Sequence, residues 1–144
     1  METKKLMIGN WVEYSKYSHF PMQVVSLGDD YVYLDFEGNQ GDVFEPNLED
    51  MHPIEVTEEF LLKNGFEKGE SMVIEGGTCT SYSLQFKDTF IDVTYGISNS
   101  KDRNFYCHID NCDRQSIGSF DFQYVHEFQN GIRLITKQDI EIKL

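Results

Sequence analysis

Ser81-Tyr82-Ser83-Leu84-Gln85-Phe86-Lys87-Asp88-Thr89-Phe90-Ile91-Asp92-Val93-Thr94-Tyr95 is the stretch on which the fold turns. Tyr82, Leu84 and Phe86 fall on one face of 81–86, and Ile91, Val93 and Tyr95 on one face of 89–95. That is the period of two a half-buried strand requires. Lys87-Asp88 between them reads as a short hairpin turn. Phe105, Cys107 and Ile109 repeat the pattern over 104–110. Met72 and Ile74 make a shorter face before a turn at Gly76-Gly77, and 96–103 reads as a polar loop at a strand tip. The expectation is an antiparallel meander with one apolar face on each strand.

Helices are expected on either side of this sheet. Thr57 precedes Glu58 and Glu59, so a hydroxyl N-cap is followed by acids in the first turn, where the helix dipole favours them. Val56 and Leu61 are spaced as a hydrophobic staple, and Asn64-Gly65 supplies a left-handed C-terminal stop from which Phe66 folds back on Leu61. This helix, 57–64, is too short to stand alone and must dock. Tyr124, Val125, Phe128, Ile132 and Ile135 recur at helical spacing, predicting a second helix over about 121–136, capped by Ser119 or Asp121. Gly131 lies inside it at a cost of about 1 kcal/mol relative to alanine, so a bend or early end is expected there. Asp139-Ile140-Glu141-Ile142-Lys143-Leu144 alternates and reads as a terminal strand.

The first third is strand-rich. Residues 10–14, 21–27, 31–36 and 51–54 read as strands; Val32, Leu34 and Phe36 share a face opposite Tyr31, Tyr33 and Asp35. Turn residues at 37–41 lead to a returning strand at 42–44, and Pro53 confines the last strand to an edge or an end. Five short strands joined by tight turns suggest a small SH3-like β-barrel over 1–54. The expected fold is therefore α+β: this barrel, then over 55–144 a curved antiparallel sheet with a C-terminal helix packed on it.

Composition narrows the function classes. The chain has 144 residues, 40% hydrophobic and 14% aromatic, enough apolar surface to offset ordering entropy. Its formal charge of −13 comes from 25 acids against 12 bases, spread over both halves. Such a field repels phosphate backbones and anionic membrane surfaces, and Lys4-Lys5 is the densest basic run, so direct nucleic-acid and membrane binding are not expected. A basic protein partner, a small ligand, or solubility alone remains compatible with the sign. No apolar run approaches the ~18 residues of a membrane span. Three cysteines and the absence of a signal-like start predict a reducing, cytoplasmic setting.

No residue set predicts catalysis. Cys107-His108-Ile109-Asp110-Asn111-Cys112 is dense in ligand types, but zinc requires four convergent ligands in short-spaced pairs, and alternation puts Cys107 inward and His108 outward. Cys107 reads as a buried small hydrophobe, and no metal or cofactor is expected. Glu75-Gly76-Gly77-Thr78 lacks the Lys-Ser/Thr end and following helix of a phosphate loop. Two binding surfaces remain. Trp11, Tyr14, Tyr31 and Tyr33, with Tyr17 nearby, form a candidate partner-binding aromatic face; the competing reading is that the tyrosines cover the junction between the barrel and the second half of the chain. Tyr82, Phe86, Tyr95, Phe105, Tyr124 and Phe128 either line an apolar ligand pocket between sheet and helix or fill the core.

The run Leu6-x-Ile8-Gly9-Asn10-Trp11-Val12, then Tyr31-Val32-Tyr33-Leu34, then Pro53-Ile54-x-Val56-Thr57-Glu58-Glu59-Phe60-Leu61-Leu62-Lys63-Asn64-Gly65-Phe66, and finally Tyr124-Val125-His126-Glu127-Phe128-Gln129-Asn130, resembles a family of small proteins of bacterial prophages and mobile elements. The resemblance covers most of the chain, least well in the middle strands, and implies a setting but no activity. In that setting a non-enzymatic protein-interaction module is expected, in its sharper form an acidic inhibitor that occupies the basic groove of a nucleic-acid-handling host or defence protein. The alternative is a small-ligand binder using the apolar pocket. Oligomeric state is not legible.

Overall fold

The computed structural model describes residues 1–17, 20–35, 43 and 45–144. Its order is β1 (Trp11–Tyr14), β2 (Phe20–Leu27), β3 (Val32–Asp35), β4 (Met51–Pro53), α1 (Glu58–Lys63), β5 (Glu67–Ile74), β6 (Gly77–Phe86), β7 (Thr89–Ser98), β8 (Arg103–Asn111), β9 (Ser116–Phe122) and α2 (Val125–Thr136), with short 3-10 turns at Thr3–Lys5, Ser15–Tyr17 and Leu48–Asp50. The protein is α+β, with antiparallel sheets of four and five strands. Two units emerge, each assembled from separated segments: Met1–Glu55 with Tyr124–Asn130, and Val56–Gln123 with Gly131–Leu144.

The first unit holds the four-stranded sheet, in the order β3-β2-β1-β4. Val12, Met22, Val24, Val32, Leu34 and Met51 are buried together with Leu6 and Tyr14, because alternation sends every second side chain inward. Pro53 pairs opposite Val12 on the edge strand β4, the place where a residue lacking an N–H is tolerated. Among the described residues the ladder is open, and no pairing closes it into a barrel. The expected Phe36, the turn at 37–41 and the returning strand at 42–44 lie outside the described residues, Val43 apart, which is exposed and not in a strand.

A set of amides fastens 124–130 within this unit. Asn10, 1% exposed, accepts a hydrogen bond from the Met7 N–H at 2.8 Å and donates to Asn130 Oδ1 at 2.8 Å. Gln129 accepts from the Trp11 N–H at 2.9 Å and donates to the Gly9 carbonyl at 3.0 Å. Asn130 donates onward to the Lys5 carbonyl at 2.9 Å. Each buried amide group thus finds a partner, which removes the cost of desolvating it.

The second unit holds the five-stranded meander, β5-β6-β7-β8-β9. Register keeps the apolar faces aligned: Tyr82 opposes Val93, Val93 opposes Cys107, and Cys107 opposes Phe120. Tyr82, Ile91, Val93, Tyr95, Phe105, Cys107, Ile109 and Phe122 are buried. Thr57 caps α1, its hydroxyl accepting from the Phe60 N–H at 3.1 Å. Gly65 sits at φ +88° and the Phe66 N–H reaches back to the Leu61 carbonyl at 3.1 Å, closing the helix end.

Four expectations change. Ser119 and Asp121 do not cap α2; they lie in β9, whose Phe120 and Phe122 follow strand alternation. The helix starts at Val125, and Glu127 reaches back to accept from the Tyr124 N–H at 3.2 Å, the acidic arm of a capping box. Residues 139–144 form no strand; the Asn64 side-chain amide holds them, donating to the Lys143 carbonyl at 2.8 Å and accepting from its N–H at 2.7 Å. The loop expected at 96–103 is shorter, because β7 runs to Ser98 and β8 begins at Arg103, with Ile97 paired to Arg103. Finally, β5 begins at Glu67 and presents no inward face: all of its residues are exposed.

Gly131 does not end α2. The helix continues to Thr136, and the Phe120 ring lies where a side chain would be: a Cβ at Gly131 would fall 2.3 Å from two of its atoms. Two effects oppose each other in Gly131→Ala. Helix propensity favours alanine by about 1 kcal/mol, whereas overpacking costs about 1–3 kcal/mol. The clash is with ring carbons, so net destabilisation is expected in urea unfolding. Pairing the change with Phe120→Leu should recover most of the loss; a Gly131→Ala protein more stable than wild type would refute the packing account.

Candidate functional site

The four aromatics proposed as a partner-binding face separate into two pairs. Trp11 and Tyr14 are 7% and 3% exposed and present no free ring surface. Both faces of β1 are covered, so alternation within it does not distinguish an outward ring. Tyr31 and Tyr33 remain at the surface, Tyr31 at 40% exposure and Tyr33 half-buried. Their rings meet edge-on, with centroids 5.4 Å apart.

The β2–β3 hairpin explains the placing of Tyr31. The Gly28 N–H donates to the Tyr31 carbonyl at 3.0 Å, closing a turn through Asp29 and Asp30. Gly28 has no side chain, and the Tyr31 ring lies over it; a Cβ there would sit 2.0 Å from a ring carbon. The ring is therefore braced by its own turn. Beside it Leu6, Leu27, Lys4, Asp29 and Asp30 border a hollow of about 510 Å³.

The six residues proposed to line a pocket divide between the units. Tyr82, Phe86, Tyr95 and Phe105 belong to the second, Tyr124 and Phe128 to the first. Within the second, Tyr95 stacks on Phe105 at 4.6 Å and Phe105 on Phe122 at 5.4 Å, so ring meets ring along the sheet. Tyr82 is buried and its hydroxyl donates to the Glu58 carboxylate. Burial above all, then that hydrogen bond and the carboxylate charge, pushes the phenol well above its ordinary range. Phe86 is partly exposed, Phe128 fully buried and Tyr124 half-buried.

Strand register assembles a polar row that a linear reading misses. Ser83 opposes Asp92, Asp92 opposes His108, and His108 opposes Ser119, all on the outer face of the five-stranded sheet. Serine, histidine and aspartate in one line invite comparison with a nucleophile–base–acid set. Here, however, His108 Nε2 lies 2.9 Å from Asp110 Oδ1, and no serine hydroxyl shares that nitrogen's bond. The row is a solvated sheet face carrying acid. Nearby, the Arg114 guanidinium stacks 3.5 Å from the Phe90 ring centroid and borders a polar trough of about 480 Å³ with Glu67, Ser83 and Asp92.

The cysteines do not gather. Cys107 is buried, Cys112 exposed and Cys79 intermediate. Burial, then the Asp92 charge, pushes the Cys107 thiol well up, which suppresses the reactive thiolate. Among the described residues no three His, Cys, Asp or Glu side chains converge as metal ligands would. No helix of the described residues is long and apolar enough to cross a membrane.

His126 is a buried imidazole. It is 4% exposed, stacks on Tyr124 at 5.9 Å, and its Nδ1 has no hydrogen-bond partner. Burial is the main reason its pKa lies below the ordinary value; the Glu127 carboxylate opposes the shift and the Lys5 ammonium adds to it. The unfolded chain takes up this proton near pH ~6.5, whereas the folded chain does so only at lower pH. Stability should fall as pH drops through about 6.5, and the loss should be complete below the folded pKa. Thermal unfolding of wild type and His126→Gln from pH 8 to 5 measures this: the two curves should diverge below about pH 6.5, and parallel curves would count against a buried neutral imidazole.

No protein-family model, curated protein or solved structure matches the chain.

Proposed function

We propose that this protein is a non-enzymatic protein-interaction module whose contact surface is the β2–β3 hairpin. The observation that carries this reading is Tyr31: an exposed ring braced over Gly28, in edge contact with Tyr33, next to the paired acids Asp29 and Asp30. A ring face beside carboxylates suits a guanidinium or ammonium group, which stacks on the ring and pairs with the acid. A formal charge of −13 extends that preference to the whole approach path. The partner is then a basic protein, and the sharper form of the reading is an acidic inhibitor that fills the nucleic-acid groove of a host or defence protein. The phage or mobile-element setting, the cytoplasmic location and the SH3-like character of the four-stranded sheet are parts of the same proposal. The order β3-β2-β1-β4 supports the last of these.

Affinity capture with wild-type chain, Tyr31→Ala and the double variant Asp29→Asn/Asp30→Asn tests the proposal. The wild type should retain a basic, nucleic-acid-associated protein that both variants lose at least about tenfold, since an anchor ring or a desolvated charge pair is worth upward of about 1.4 kcal/mol. Adding the chain should displace nucleic acid from the captured protein. Equal capture by all three proteins, or capture of nothing basic, would sink the reading.

A further inference from the structure

The second unit has an open edge of a different kind. β5 is the first strand of the five-stranded sheet and, among the described residues, is hydrogen-bonded to β6 on one side only. All of its residues are exposed, including three consecutive apolar ones: Met72 at 56%, Val73 at 87% and Ile74 at 48%. An edge strand presents every second N–H and C=O away from its neighbour, ready to bond another extended chain. Edges are ordinarily protected by charge, by bulges or by shortness. Here the protection lies at one end. The register slips between Lys68 and Ser71, while Ser71, Met72, Val73 and Ile74 pair regularly with Thr80, Cys79, Thr78 and Gly77. The regular, apolar part of the edge is therefore the part left unguarded.

Charge decides what fits it. Glu67 and Glu70 lie on the strand and Glu75 follows in the turn. The strand's one base, Lys68, is 3.7 Å from Glu58 and so is already matched by an acid. The apolar end of the strand, Met72–Ile74, is thus flanked by Glu70 before it and Glu75 after it. A second copy of the chain would bring the same acids and another −13 charge against it. An extended segment that alternates apolar and basic residues meets every requirement: backbone bonds to the free edge, apolar contact with Met72 and Ile74, and opposite charge at Glu70 and Glu75.

We infer that β5 is a strand-addition site that receives an extended segment of alternating basic and apolar residues from a partner protein, adding a sixth strand to the sheet. This site lies in the other unit from the tyrosine hairpin and does not depend on it. Backbone bonds supply affinity in this mode, and the flanking charges select the partner.

A short peptide of alternating lysine and valine serves as the probe, with a glutamate–valine peptide of the same length beside it. Amide hydrogen exchange on the full chain should show slowed exchange within 71–74 when the lysine peptide is added. Fluorescence anisotropy should show at least about tenfold weaker binding for Val73→Lys and for Glu70→Lys/Glu75→Lys, as two lost cross-strand charge pairs or an inserted like charge require. Val73 is so exposed that its substitution leaves the fold intact, and circular dichroism checks this. Tyr31→Ala should leave the slowed exchange within 71–74 unchanged, which separates this site from the hairpin. Equal binding of the two peptides, protection that maps elsewhere, or no protection would each overturn the inference. So would sedimentation showing that the chain alone dimerises and that Val73→Lys abolishes the dimer, since the occupant would then be a second copy.

Discussion

Strand parity governs the second unit. Side chains alternate between faces, so a one-residue slip in any pairing would turn a buried row outward. The observed register holds Tyr82, Val93, Cys107 and Phe120 in line across four strands, and Ile91 opposite Ile109 in the next row. The stacked rings of Tyr95, Phe105 and Phe122 tie three of those strands along a further row. The same parity places Ser83, Asp92, His108 and Ser119 together on the opposite face. Their alignment is thus a product of core register, which explains why residues suggestive of chemistry stand in a line without the geometry to perform it.

In the first unit the organising device is polar. Asn10, Gln129 and Asn130 exchange side-chain and main-chain bonds that bring 124–130 onto the segment around Gly9 and Trp11. Amides suit this work because each carries both donor and acceptor and stays neutral when buried. His126 lies within the same turn of helix, buried without a partner for Nδ1. A stretch that looks polar in sequence thus has one polar residue, His126, in the interior beside Val125 and Phe128, with its other members half-buried.

How far the linear chain discloses its fold depends on whether the controlling interaction is local. The hairpin at Lys87-Asp88, the Thr57 cap and the Gly65 stop are local, and each stands where its residues suggest. The start of α2 was obscured because Ser119 and Asp121 are good caps in isolation; only pairing with β8 reveals them as outward residues of a strand. The extent of β5 was hidden because a strand exposed throughout has no apolar period, and its identity comes from β6. Trp11 misled for the opposite reason: on a strand covered on both faces, alternation with Val12 says nothing about exposure. Of the proposed aromatic face, the outward placing of Tyr31 and Tyr33 was legible from their alternation with Val32 and Leu34, which are buried. The polar row and the open edge were not, since both arise from pairings distant in sequence.

The division of α2 between the two units bears on how the chain comes into being. Residues 1–55 reach their complement, 124–130, only after most of the polypeptide has been made. A chain emerging from the ribosome exposes Leu6, Val12 and the other inward residues of the four-stranded sheet early, while the amides that finish that unit are still untranslated. The first unit therefore cannot mature in N-to-C order: its completion awaits a segment made after the whole sheet of the second unit, and a chain stalled before Tyr124 would leave the first unit without its last piece.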